Sequence, residues 1–166
     1  MAFNVVVKIG GKLKRFQEIA NAKPKSMDRI FESWTKIITA FIRRRFSRAS
    51  RGDGTWKPLA PSTIARRRKH STSILQDTGL LFRQLSPELS SVTPVTKSGQ
   101  LFQSTVSFGG KATYPNGTTI TDVMSFHQTG GGRLPQRKII VDPDAKTRDQ
   151  LIRSAQRLIT DEINGK

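Results

Sequence analysis

Cysteine is absent from this 166-residue chain, and that one absence removes a disulfide framework, Cys-ligated zinc, iron–sulfur clusters and a thiol nucleophile. Histidine is nearly absent too, with only His70 and His127, and no H-E-x-x-H spacing sets two imidazoles on one helix face. Neither a G-x-S-x-G turn nor a phosphate-cradling glycine loop occurs, since Gly10-Gly11-Lys12 and Gly130–Gly132 lack the required spacing. No apolar run approaches the ~18–20 residues of a membrane-spanning helix, and the first residues carry no cleavable signal pattern. Acidic residues are scarce as well. Twelve Asp+Glu stand against 29 Lys+Arg, for a formal net charge of +17.

What is present suffices for a core. Leu, Ile, Val and Phe number 42 of 166, about 25%, whereas highly charged chains that stay disordered fall below ~20%. The length suits one domain, residues 1–166, at ~100–200 residues per domain. The charge is unevenly placed. Arg43 to Lys69 holds ten Lys/Arg and a single acid, Asp53, whereas Ser86 to Arg133 holds three cations and two acids in a Ser/Thr/Gly-rich stretch. A net charge of this size calls for a polyanionic neighbour, either nucleic acid or an acidic protein surface.

Hydrophobic spacing predicts the elements. Phe3–Ile9 reads as a strand ended by Gly10-Gly11, and Lys12–Ala20 as a short helix before Pro24. Met27, Ile30, Phe31, Trp34, Ile37, Ile38, Phe41, Ile42 and Phe46 recur at helical spacing behind Ser26, a candidate N-cap. Pro61 suits a first helical position, so a short helix is expected to Lys69, and Asp77 or Thr78 can cap another through Leu85. Leu89–Thr96 and Leu101–Phe108 read as a hairpin, with Pro94 at an edge or bulge. Tyr114–Gly117 is a turn, Ile120 a further short strand, Asp122–Gln128 a helical segment, and Lys138–Val141 a short strand. Thr147-x-x-Gln150 matches a capping box opening a terminal amphipathic helix with Leu151, Ile152, Ala155, Leu158, Ile159 and Ile163 on one face. The expected class is α+β: an antiparallel β-sheet packed against a long helix in the N-terminal half and a C-terminal helix, with short helices in between.

Catalysis finds little support in this pattern. Asp142 and Asp144 could hold a metal with Lys146 near a scissile phosphate, as in a nuclease, or could simply form the turn into the last helix. No cofactor or metal site is expected. Arg43, Arg44, Arg45 and Arg48 end the long helix, where cations complement the helix dipole. Arg66, Arg67, Arg68 and Lys69 form a second group. No helix-turn-helix or zinc finger frames them, so any nucleic-acid contact would be to phosphates without base reading. Sequence-independent DNA binding through Arg43–Lys69 is therefore one reading of the chain. Trp34 belongs to the apolar stripe, while Trp56, in a Gly/Pro loop, could pin the loop or anchor a partner.

Four ordered motifs carry a resemblance. Gly54-Thr55-Trp56-Lys57-Pro58-Leu59 with Thr63 resembles the "G-x-W-x-P-L … T" segment of the phage virion morphogenesis family, the tail-completion or head–tail joining (neck) proteins of tailed phages. Ile74-Leu75 with Thr78-Gly79 and Leu81 is similar to that family's "I-L-x-x-T-G-x-L". His127-Gln128 with Gly130 resembles its "H-x-x-G", and Leu134-Pro135-x-Arg137 its "L-P-x-R", followed by an apolar run as Ile139-Ile140-Val141 is here. The Ser/Thr-rich hairpin and the Gly130–Gly132 run are not distinctive of the family, and Lys138 stands where a small residue or proline is more usual.

The resemblance implies a structural, non-enzymatic virion protein of the neck or tail, assembled in the host cytoplasm, with no membrane partner. Its subunits would form a ring around passing genomic DNA, touching neighbouring neck or connector proteins and tail-terminator or tail-tube proteins. Interface or structural roles would fall to Trp56, Leu59, Thr63, Leu75, Thr78, Gly79, Leu81, His127, Gly130, Pro135 and Arg137. Gly79 suits a helix start with close backbone approach, Pro135 a rigid lead into a strand, and His127 a helix C-terminal cap. Arg137 suits a fork-like pair with a neighbouring subunit's carboxylate. A domain of this length has a radius of gyration near ~15 Å, equivalent to a sphere of about 20 Å radius. Six touching spheres leave a hole of roughly 40 Å and twelve leave more than ~100 Å. A hexamer is therefore expected, with a dodecamer as the alternative.

Overall fold

A computed structural model describes residues 3–9, 24–89, 91–92, 96–98, 101–108, 112–132 and 134–164. The expected helix over Lys12–Ala20 and the bulge at Pro94 lie outside the described residues. The elements run β1 (Phe3–Ile9), α1 (Pro24–Ser50), α2 (Pro61–Arg66), a 3-10 turn (Arg68–His70), α3 (Leu80–Arg83), a second 3-10 turn (Pro87–Leu89), β2 (Ser91–Val92), β3 (Thr96–Ser98), β4 (Leu101–Phe108), α4 (Ile120–Thr129) and α5 (Ala145–Ile163).

Helix α1 organises the molecule because its apolar stripe serves two cores. Met27, Ile30 and Phe31, in its first half, pack with Ala155, Leu158 and Ile159 of α5. The second half, Ile38, Phe41, Ile42, Phe46 and Ala49, packs with Trp56, Ile74, Leu81, Leu85, Met124 and Ile139. Each fully buried Ile, Leu, Phe or Met among them contributes roughly 1.5–3 kcal/mol from removal of apolar surface from water. Two polar contacts fix the α1–α5 register: the Trp34 indole N–H donates to the Leu151 carbonyl at 2.8 Å, and the Ser33 and Ser154 hydroxyls meet at 2.8 Å.

The α+β expectation, a sheet layer backing the long helix and the C-terminal helix, is corrected. The chain is mostly helical, and its two long helices pack on each other. Among the described residues every strand ladder includes β4, with Val5 opposite Val106, Val92 opposite Val106 and Ser98 opposite Leu101. Val106 and Phe108 of β4 insert into the main core.

Two runs expected as strands are not strands. Ile120 opens helix α4, capped by Thr119, whose hydroxyl accepts from the Asp122 amide at 3.1 Å. Lys138–Val141 has no ladder partner among the described residues; side chains meet its backbone instead. Gln128 Oε1 accepts from the Ile139 and Ile140 amides at 2.9 and 3.0 Å, and its Nε2 donates to the Ile140 carbonyl at 2.7 Å. The Lys138 carbonyl takes the Trp56 indole N–H at 3.2 Å and Arg45 Nη1 at 2.7 Å. These contacts satisfy the backbone as a neighbouring strand would.

Helix boundaries shift for local reasons. Helix α1 already begins at Pro24, so Ser26 lies inside it rather than capping it. Helix α2 stops at Arg66 because Arg67 is extended and Lys69 is left-handed, so the expected continuation to Lys69 becomes a separate turn. Asp144, not Thr147, caps α5: its carboxylate accepts from the Thr147 amide at 2.7 Å.

Candidate functional site

The loop after α1 is built to present Trp56. Gly52 and Gly54 both lie at positive φ, +89° and +86°, and Asp53 Oδ1 accepts from the Thr55 amide at 2.9 Å to close the turn between them. Trp56 then drops into the core, only 2% exposed and edge-on to Phe46 at 5.1 Å between ring centroids. The end of α1 is tied to the next loop by a reciprocal pair. Ser50 Oγ donates to the Ile74 carbonyl at 2.6 Å, and the Ile74 amide donates to the Ser50 carbonyl at 2.9 Å.

The opposite wall comes from α4 and the segment after it. Gly130, at φ +71°, ends α4 where a Cβ would stand 3.0 Å from the Gln136 backbone nitrogen. That close approach lets the Gln136 side chain donate to the Gln128 carbonyl at 3.0 Å and the Arg137 amide to the His127 carbonyl at 2.7 Å. Arg137, 5% exposed, then bridges the two walls: Nε and Nη2 donate to the Lys57 carbonyl at 3.3 and 3.1 Å. The fork-like geometry expected of Arg137 is present, but its acceptor is a backbone carbonyl of the same chain. Pro135 leads into the clamped extended segment, not into a strand.

Between these walls lies a cleft of about 390 Å³. Leu59, Thr63, Leu75, His127, Pro135 and Arg137 line it, so residues from all four motifs, spread over Leu59 to Arg137, meet in one place. Lys57, Pro58, Ala60, Arg67 and Leu134 complete the lining. Leu75 holds a left-handed backbone, φ +59°, which a bulky side chain adopts only at a cost of about 1–2 kcal/mol.

The remaining motif residues support this cleft from outside it. Trp56 and Leu81 belong to the core. Thr78 Oγ1 accepts from the Leu80 amide at 3.3 Å, and Gly79 starts α3 at φ +71°. No atom comes within 4 Å of a Cβ built on Gly79, so the expected close approach is found at Gly130 instead. His127 lies within α4 and does not cap it, a place taken by Gly130.

Cations dominate the electrostatics. Lys57, Arg67 and Arg137 line the cleft, and none of its lining residues is Asp or Glu. Burial, and then the nearby Arg67 charge, lowers the Arg137 pKa from its ordinary value. Burial, and then Arg137, pushes His127 down to about 4, so its imidazole is neutral at physiological pH. His127 Nδ1 is buried without a hydrogen-bond partner. The arrangement is suited to hold an anion against an apolar wall.

The basic group Arg43–Lys69 is divided between internal contacts and the surface. Arg43 stacks over the Phe82 ring at 4.8 Å, Arg45 holds the Lys138 carbonyl, and Arg67 bonds the Ser71 and Ser73 carbonyls. Arg44, Arg48, Arg66, Arg68 and Lys69 are exposed. Asp142 is exposed and Asp144 is engaged as the α5 cap; among the described residues no three His, Asp or Glu side chains gather as a metal set.

Two residues central to the site carried no distinguishing signal in the sequence. Lys57 occupies a variable position of the tryptophan motif, and Gln128 one in the histidine motif. Only the fold shows that the first supplies a carbonyl and a charge and that the second replaces a strand. No family model, curated protein or solved structure matches the chain.

Proposed function

We propose that this protein is a structural, non-enzymatic component of a tailed-phage virion, forming a ring in the neck that joins or completes the tail around the DNA channel. One observation carries the reading: four motifs resembling those of the phage virion morphogenesis family, far apart in the chain, line or support a single cleft. Chance matches scattered over a fold have no reason to converge. The cleft wall is held by backbone-directed bonds from Arg137, Gln128, Trp56 and Arg45, a rigid surface suited to docking. Six copies per ring follow from the size argument, with adjoining neck, connector and tail proteins as partners.

Removing the protein from its phage tests the reading. Filled heads and finished tails that fail to join, or tails with defective ends, are expected by electron microscopy; intact, infectious particles would overturn it. Images of the assembled neck are expected to show sixfold symmetry for this ring, and twelvefold symmetry would sink the hexamer.

A second reading, sequence-independent DNA binding, is favoured by the exposure of Arg44, Arg48, Arg66, Arg68 and Lys69. A salt titration separates the two. Submicromolar binding of the isolated protein to random duplex at physiological salt favours free DNA binding, and weaker binding favours a lining that meets DNA only in the assembled channel.

A further inference from the structure

We propose that the cleft between the Trp56–Ala60 loop, α2 and the Leu134–Arg137 segment docks an acidic peptide segment of a different protein, with a carboxylate flanked by aliphatic side chains. The inference rests on the virion reading for the partner's place, a neighbouring protein of the neck, and on the cleft itself for the partner's chemistry.

Charge complementarity is the first argument. Lys57, Arg67 and Arg137 face a space that no carboxylate of the described residues lines. Both guanidinium groups are already positioned by backbone carbonyls, Arg67 by Ser71 and Ser73 and Arg137 by Lys57. Those bonds fix geometry but neutralise no charge. Arg67 and Arg137 thus oppose each other in a partly buried site, and an incoming carboxylate would relieve both with little loss of side-chain freedom.

The apolar half of the lining selects among anions. Pro58, Leu59, Leu75, Leu134 and Pro135 form a wall that a phosphodiester backbone has nothing to place against. A leucine or isoleucine beside an Asp or Glu fills it. A volume of about 390 Å³ sits at the small end of ligand clefts, ~300–1,000 Å³, and suits a few residues of a peptide rather than a duplex. A second copy of this chain is disfavoured as occupant. Each copy carries +17, and its adjacent acidic pair, Asp161-Glu162, already lies against Arg157 and Arg29.

Fluorescence anisotropy of the full-length protein with a labelled Gly-Leu-Asp-Leu-Glu-Leu-Gly peptide tests this, with the Asn/Gln version and a short duplex DNA as comparisons. The acidic peptide is expected to bind at least about tenfold more tightly than its amide version, a difference of ~1.4 kcal/mol. Lys57→Glu is expected to weaken it by about tenfold or more, whereas Arg48→Glu, with the same change in net charge away from the cleft, costs less than about twofold. Leu134→Ser, at an exposed rim position, is expected to weaken it severalfold. Equal losses for Lys57→Glu and Arg48→Glu, equal binding of the amide peptide, or no binding below about 1 mM would overturn the proposal. So would displacement of the peptide by duplex DNA, or self-association in sedimentation that Lys57→Glu abolishes. The neck reading fails separately, by infectious particles that lack the protein.

Discussion

Gln128 takes the place of a missing strand, and its chemistry can be dissected one atom at a time. Gln128→Leu leaves two amides and one carbonyl of Ile139 and Ile140 without partners. A loss of about 2–3 kcal/mol is expected in urea denaturation. Gln128→Glu keeps the acceptor and should lose less. Gly130→Ala is expected to cost about 1–3 kcal/mol, since it combines a left-handed backbone with a methyl 3.0 Å from the Gln136 nitrogen. His127 links stability to pH. The unfolded imidazole takes a proton near 6.5, while the folded one resists until about 4. Its contribution is therefore undiminished above about pH 6.5 and is lost as pH falls toward 4. Urea midpoints measured across that window should fall less steeply with acid in His127→Gln than in the wild type.

At the scale of elements, the apolar period of α1 is visible in the chain from Met27 to Phe46, and so is the stripe of α5. Neither period says which partner each half of α1 meets. Trp34→Phe tests that division: it removes the bond to the Leu151 carbonyl while keeping most of the ring, and should cost about 1 kcal/mol. Trp56→Ala, in the other core, should cost about 3–5 kcal/mol and open the cleft wall with it. The misread elements share a cause. Lys138–Val141 is β-branched and apolar, as a strand would be, yet its hydrogen bonds go to side chains from α1, α4 and the Trp56 loop. Composition cannot register a partner 93 positions away, as Arg45 is from Lys138.

For the whole molecule, the excess of cations is a property of the chain, but its division of labour is not. Arg43, Arg45, Arg67 and Arg137 hold rings and carbonyls away from their own turns, Arg51 and Lys57 are exposed in the loop after α1, and Arg44, Arg48, Arg66, Arg68 and Lys69 are five further exposed cations. Glutamate at any one of these five exposed positions should weaken non-specific duplex binding, and each lost phosphate contact should reduce the salt slope by about one. The Arg45→Gln variant should act differently, lowering stability by removing the shorter of the two hydrogen bonds to the Lys138 carbonyl and leaving only that from Trp56.

The sequence by itself determined the long amphipathic helices, the absence of cysteine chemistry, the basic balance and the order of the four motifs. These depend on spacing and composition alone. The tertiary structure decided that the molecule is mostly helical, that Gln128 and Trp56 occupy backbone groups expected to pair in a strand, and that Lys57, Arg67, His127 and Arg137 share one cleft. Each of those outcomes depends on contacts between residues distant in the chain. Burial of Arg137, half-burial of Arg67 and a lining without a carboxylate among the described residues set this cleft apart from the other cations of the surface.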